Sequence, residues 1–257
     1  MPRQAREKSK TGVYHVMVRG INRQQIFHDQ EDFRKYLRIL QRSKELSKYK
    51  LFAYCLMINH VHLLIQEDQE EISQVMKRIG TSYAWWYNRK YHRTGHVFQD
   101  RYRSEKVEDD QYLLTVIRYI HRNPVKAGIC RMPQEYPWSS CASYYGQEDY
   151  PLNLIYSELI LQIFGQDIDK AQQRFRDFME EDNEDSCLED NSPCKMEDEV
   201  LYREIIRIMG NRPLEDLQLM PKKQRDWILK QLKQIEGTSL RQISRVTGIG
   251  LNIIFKA

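Results

Sequence analysis

The 257-residue sequence has five cysteines, at 55, 130, 141, 187 and 194. They are odd in number and include no CxxC pair, so neither a zinc-ribbon site nor a dithiol redox centre is written in it. No apolar run approaches the roughly 18 residues that a membrane-spanning helix needs. The basic opening MPRQAREKSK has no apolar core behind it. These lacks exclude membrane and secretory readings and lead us to expect a reducing cytoplasm. With 41% hydrophobic, 30% charged and 11% aromatic residues, the chain is rich enough in apolar side chains to fold.

Charge is unevenly spread. Residues 1–150 hold 25 Lys/Arg against 17 Asp/Glu, residues 151–200 hold 4 against 14, and residues 201–257 hold 11 against 5. Two basic modules therefore flank an acidic connector, and clustered cations of this kind suit a polyanionic partner. We expect domains at 1–150 and 200–257, joined over 151–199 by a helical segment and an acidic linker concentrated in 177–199.

Periodicity gives the elements. Tyr14–Gly20 alternates as a strand. From Asp32 onward Phe33, Tyr36, Leu37, Leu40 and Leu46 recur at helical spacing. Leu51–Met57 and His60–Ile65 are apolar runs separated only by Ile58 and Asn59, the spacing of a tight hairpin. Ile72, Val75, Met76, Ile79, Tyr83 and Trp86 mark a second amphipathic helix whose start reads as acidic. His96–Glu108 suits one or two strands. Asp109 or Asp110 would cap a helix running to about His121, ended by Pro124. The resulting order is that of a ferredoxin-like (split βαβ) α+β fold: an antiparallel sheet with helices on one face, the other face open, and an appended helix. Val200–Met209, Trp227–Ile235 and Leu240–Val246 predict a small all-α C-terminal domain.

Within HVHLLI, His60 and His62 project from one face of a strand. They are either two ligands of a divalent ion or a pair of partly buried structural histidines. In RYIHRNP, Tyr119 and Asn123 lie one turn apart on a helix, and Asn123, at the frayed end before Pro124, would have its carbonyl oxygen free to reach an ion. Tyr112, seven residues before Tyr119, shares nearly the same face and competes with it as a nucleophile.

The strings RGINRQQIF, MINHVHLLI, GHVFQDRYRS and RYIHRNPVKAG, in this order and over about residues 8–146, resemble the single-tyrosine transposases of the HUH nuclease superfamily, particularly the REP-associated tyrosine transposases. The resemblance implies that His60 and His62 are paired metal ligands, that Asn123 adds a polar ligand for Mg²⁺ or Mn²⁺, and that Tyr119 is the nucleophile. Ile58 stands where the family usually has proline before Asn-His. The implied activity is that of a single-stranded DNA endonuclease and strand transferase, a transposase, which forms a 5′-phosphotyrosine beside a REP-like hairpin. Tyrosine's ordinary pKa of about 10 requires activation of the hydroxyl, and no base is legible.

Arg19, Asn22, Arg23, Arg101, Arg103 and Lys106 are the expected DNA contacts, with Lys77, Arg78, Arg89 and Lys90 close to motifs on the same side. Trp85, Trp86, Tyr87 and Tyr91 interleave with several of them, and some are stacking platforms while others are core. Leu240–Ala257 resembles a helix-turn-helix about Thr247–Gly250, which either touches duplex DNA or only packs its own bundle. The readings left beside the transposase are a non-catalytic, sequence-specific DNA-binding regulator on the same scaffold and an RNA-binding domain. Monomer and homodimer stand equally open.

Overall fold

The computed structural model describes residues 7–147, 150–181, 183, 185, 187–188, 198–210, 212–235 and 238–257. Most of the stretch read as an acidic linker lies outside the described residues. The chain divides into two compact units, Met1–Glu189 and Asp190–Ala257.

The first unit is a mixed helix and sheet structure. Strand β1 (Val13–Arg19) is followed by a tight 3₁₀ turn (Ile21–Arg23) and helix α1 (Gln30–Ser47). Strands β2 (Lys50–Met57) and β3 (His60–Gln66) come next, then helix α2 (Ile72–Lys90), strand β4 (Arg103–Val107) and helix α3 (Asp110–Lys126). The four strands form one antiparallel sheet in the order β2-β3-β1-β4. Helices α4 (Glu158–Phe164) and α5 (Ile168–Glu180) bury Ile160, Leu161, Phe175 and Met179 in the same core.

Local chemistry explains the element boundaries. Asp29 caps α1 through a capping box, its carboxylate accepting from the Asp32 N–H while Asp32 reaches back. The two-residue link Ile58-Asn59 closes the β2–β3 hairpin as expected. The acidic start of helix α2 is its N-cap, Glu71, while the first turn itself holds no acidic residue. Glu67, before the helix, accepts from the Ile72 N–H at 2.7 Å instead. Of the alternating stretch 96–108, only Arg103–Val107 is a strand, while Phe98 makes an isolated bridge to Gly20.

Two further expectations fail. Helix α3 does not stop before Pro124: it continues to Lys126, with Pro124 buried inside it. Proline removes one N–H, but the last turn still closes through Ala127 N–H to Asn123 O and Ile129 N–H to Pro124 O, both at 2.9 Å. The second sheet face is not open either. Paired residues share a face, so Val16, Val18, Val61 and Leu63 form one fully covered surface, toward α1 and α2. His15, Met17, Arg19, His60 and His62 form the other, and α3 packs on it against β2 and β3.

The second unit holds α6 (Asp198–Ile208), α7 (Asp216–Leu219), α8 (Lys222–Gln234), α9 (Leu240–Thr247) and α10 (Leu251–Lys256) around Leu201, Ile205, Leu217, Leu229, Leu232, Ile243 and Ile254. Gly248 turns the chain between α9 and α10 in the left-handed conformation, φ 70°. Ile254 is buried in the bundle while Leu251, Ile253 and Phe255 are exposed.

Candidate active site

The strand register brings the candidate residues together. Arg19 pairs with His60 and Met17 with His62 across β1 and β3, and Met17 pairs with Arg103 across β1 and β4. His60 and His62 lie with ring centroids 5.1 Å apart. From α3 the Tyr119 ring reaches the same face, 5.7 Å from His62 and 5.8 Å from His15, edge-on to both. Tyr119 is 5% exposed, and the Lys126 ammonium sits 4.8 Å from its ring centroid.

The hairpin loop fixes His60. Asn59 donates from Nδ2 to the Arg23 carbonyl at 3.2 Å, so its Oδ1 is the atom facing His60 Nδ1, at 2.6 Å. An amide oxygen only accepts, hence the proton is on His60 Nδ1 and the lone pair on Nε2. The Arg23 carbonyl is presented by an unusual turn in which Asn22 (φ 52°) and Arg23 (φ 58°) are both left-handed. Gly20 makes that turn possible, because a Cβ there would collide with the Gln24 carbonyl oxygen and approach Ile26 Cγ2 to 2.9 Å.

His62 is fully buried, and its Nδ1 lies 3.0 Å from Nε2 of a third histidine, His15. Burial first, then the neighbouring His15, His60 and Arg19, drive the His62 pKa well below the usual histidine value. His15 is lowered as well, by desolvation that outweighs the opposing pull of Glu105. Both rings are therefore neutral, with lone pairs to offer. Glu105 on β4 faces His15 Nδ1 at 3.8 Å and accepts from the Leu188 N–H at 3.1 Å. The sequence reading missed Asn59, His15 and Glu105.

Asn123 is inside α3 and not at a frayed end. Its amide nitrogen donates to the Tyr119 carbonyl at 2.9 Å. Among the described residues, no group of three His, Cys, Asp or Glu stands ready for a metal. The donors that fit one are the imidazoles of His60 and His62, whose Nδ1 atoms are both engaged, a set that suits a divalent ion with open positions for oxygen ligands.

Of the expected DNA contacts, Arg19 and Arg103 share the histidine face, Asn22 and Arg23 form the adjoining turn, and Arg101 is exposed beside it. Lys106 pairs in register with Tyr14, on the opposite face, and makes an ion pair with Glu7. Arg78 is tied to Glu70 and Ser47, and Lys90 to Asp29, Glu31 and Asp32. Tyr87 is core, whereas Trp85 is 64% exposed under the Arg89 guanidinium. A cleft of about 630 Å³ runs from Ile21 past Trp85, Asn88 and Phe98 to Arg101.

Residues 8–123, the segment that builds this face, match the family model described as Transposase IS200 like. This segment is similar to the IS200-like transposases. A Haemophilus influenzae protein described as a candidate REP-associated tyrosine transposase is 26% identical to the chain over 114 residues. The match takes in 40% of this chain and 65% of that relative, so the matching segment spans just under two thirds of its length. The fold is also similar to a solved REP-associated tyrosine transposase bound to a REP hairpin, with TM-score 0.48 and 17% identity over 57% of this chain and 87% of the other. A candidate transposase from Deinococcus radiodurans R1 gives TM-score 0.33 and 21% identity over 47% and 97%. No helix among the described residues is long and apolar enough to cross a membrane.

Proposed function

We propose that the chain is a metal-dependent, single-stranded DNA nicking and joining enzyme that uses Tyr119 as its nucleophile beside a hairpin. The observation that carries this reading is the approach of the Tyr119 ring to the buried His62–His15 pair from a different element, on the sheet face shared by His60. We read the strand order as the ferredoxin-like one, with α3 as the catalytic helix, and residues 200–257 as a domain that adds affinity for duplex DNA through α9 and α10.

His60 and His62 would hold a Mg²⁺ or Mn²⁺ ion through their Nε2 atoms, with Asn123 as a further polar ligand. Bound there, the ion supplies charge neutralisation at a non-bridging phosphate oxygen. Arg19 and Arg103 flank that position and orient the phosphate, while the turn at Asn22 and Arg23 contacts the nucleotides alongside. Trp85 and the cleft beside it offer one unpaired base a stacking surface. The Tyr119 phenolic oxygen forms the new bond to phosphorus as the bond from phosphorus to the leaving 3′ oxygen breaks. The proton lost from the phenol is balanced by the one that the 3′-hydroxyl gains. The phosphodiester energy is kept in the tyrosine ester, so the reaction can be reversed or redirected to a second end.

The test is a denaturing gel of end-labelled single-stranded hairpin DNA with the full chain, with and without Mg²⁺ or Mn²⁺. A metal-dependent covalent adduct that disappears in Tyr119→Phe is expected. Specific binding with no adduct under either metal would reject the enzyme in favour of a DNA-binding regulator.

A further inference from the structure

The proposed chemistry leaves His15 and Glu105 without a role, although both stand on the histidine face. His15 is wholly buried. Its Nε2 meets His62 Nδ1 at 3.0 Å, and its Nδ1, which has no hydrogen-bond partner among the described residues, faces the Glu105 carboxylate at 3.8 Å. That gap is about 1 Å longer than a hydrogen bond, short enough for the charge to act on the ring.

Two neutral imidazoles that meet nitrogen to nitrogen share a single hydrogen, and the ring that donates it decides what His62 can do. If His15 donates from Nε2, His62 carries its own proton on Nε2 and cannot ligate through that atom. If His62 donates from Nδ1, its Nε2 lone pair is open. Glu105 breaks the tie. A carboxylate accepts and does not donate, so it favours the His15 tautomer protonated at Nδ1, whose lone pair at Nε2 then accepts from His62.

We propose that His15 and Glu105 form a positioning relay that fixes the His62 tautomer with Nε2 free, as Asn59 fixes His60. The relay rests on the metal reading of His60 and His62. The long-range order of the sheet creates the device, because only β1, lying between β3 and β4, can connect His62 to Glu105.

The experiment reads the tautomer directly, by nitrogen-15 NMR of histidine-labelled full chain without metal, and reads Mn²⁺ affinity by calorimetry. The wild-type His62 ring should be protonated at Nδ1 alone. His15→Leu should weaken Mn²⁺ binding about 10- to 100-fold, while His15→Gln, whose side-chain carbonyl can reach the place of Nε2, should recover most of that loss. Glu105→Gln should mix the His62 tautomers. A wild-type His62 protonated at Nε2, or a folded His15→Leu that binds Mn²⁺ like wild type, overturns the relay. If His15→Leu fails to fold, the wild-type and Glu105→Gln tautomers decide. A wild type that binds no Mn²⁺ rejects the metal reading instead, and the tautomer still judges the relay.

Discussion

Replacing Asn59 by alanine removes two hydrogen bonds with different purposes, and the two losses can be read separately. The bond from Asn59 Nδ2 to the Arg23 carbonyl ties the hairpin to the left-handed turn, and the bond from His60 Nδ1 to Asn59 Oδ1 orients the ring. Each net hydrogen bond contributes about 1 kcal/mol. Both groups are half-buried, so part of the loss is recovered by water, and Asn59→Ala should lower unfolding stability by about 1–2 kcal/mol. The effect on ligation is larger in proportion. Losing the acceptor that holds a ligating histidine weakens metal binding about 10- to 100-fold, or about 1.4–2.7 kcal/mol. Asn59→Asp separates the two terms: it keeps the acceptor and loses the donor, so Mn²⁺ affinity should hold while stability drops by about 1 kcal/mol. The assay is calorimetric Mn²⁺ titration beside urea unfolding for all three proteins. An Asn59→Ala protein that is less stable yet binds Mn²⁺ like wild type would refute the reasoning, since the amide would then serve only the loop.

Other perturbations test the surroundings. Gly20→Ala forces a Cβ against the Gln24 carbonyl and Ile26, and because backbone must move, a loss of about 1–3 kcal/mol is expected in urea unfolding. Arg118→Ala leaves Asp185, like Arg118 only 11% exposed as a side chain, without its bidentate partner. It should lower stability by about 3 kcal/mol and raise protease cleavage near residues 181–188. Acid should also weaken the fold. Burial lowers the His121 pKa to about 3, below its unfolded value of about 6.5. The unfolded chain therefore binds the extra proton, so stability is full above about pH 6.5 and is lost as pH falls toward 3. Between pH 6.5 and 5 this one group removes about 2 kcal/mol. The fully buried His15 and His62 act in the same direction. His121→Gln should melt with a shallower acid dependence, and an unchanged slope would contradict the assignment.

How far the sequence could be read depends on the range of each interaction. The strand at Tyr14–Gly20, the hairpin at Ile58-Asn59 and the cap at Asp109 are local. Their signals, alternation, spacing and a carboxylate placed to accept the Tyr112 N–H, survive in the fold. The end of α3 was misjudged because a proline near a C-terminus sacrifices one donor only, and the turn beyond it closes regardless. The Tyr119 spacing from Asn123 was legible, but not that Asn123 would spend its amide on the Tyr119 carbonyl. His15 was invisible because a single histidine in an apolar strand looks like core. It becomes meaningful only when β3 brings His62 and β4 brings Glu105 to either side. Likewise the acidic stretch after residue 177 reads as a linker, yet Asp185 is anchored to Arg118.

The central claim is that Tyr119 is the atom source of the covalent link to DNA. Trypsin cleaves after Lys106, Arg118 and Arg122, so a digest of the purified protein–DNA adduct places Tyr112 and Tyr119 in different peptides. Mass spectrometry of that digest should find the nucleotide on residues 119–122, at Tyr119. Nucleotide found on residues 107–118, at Tyr112, would contradict the account.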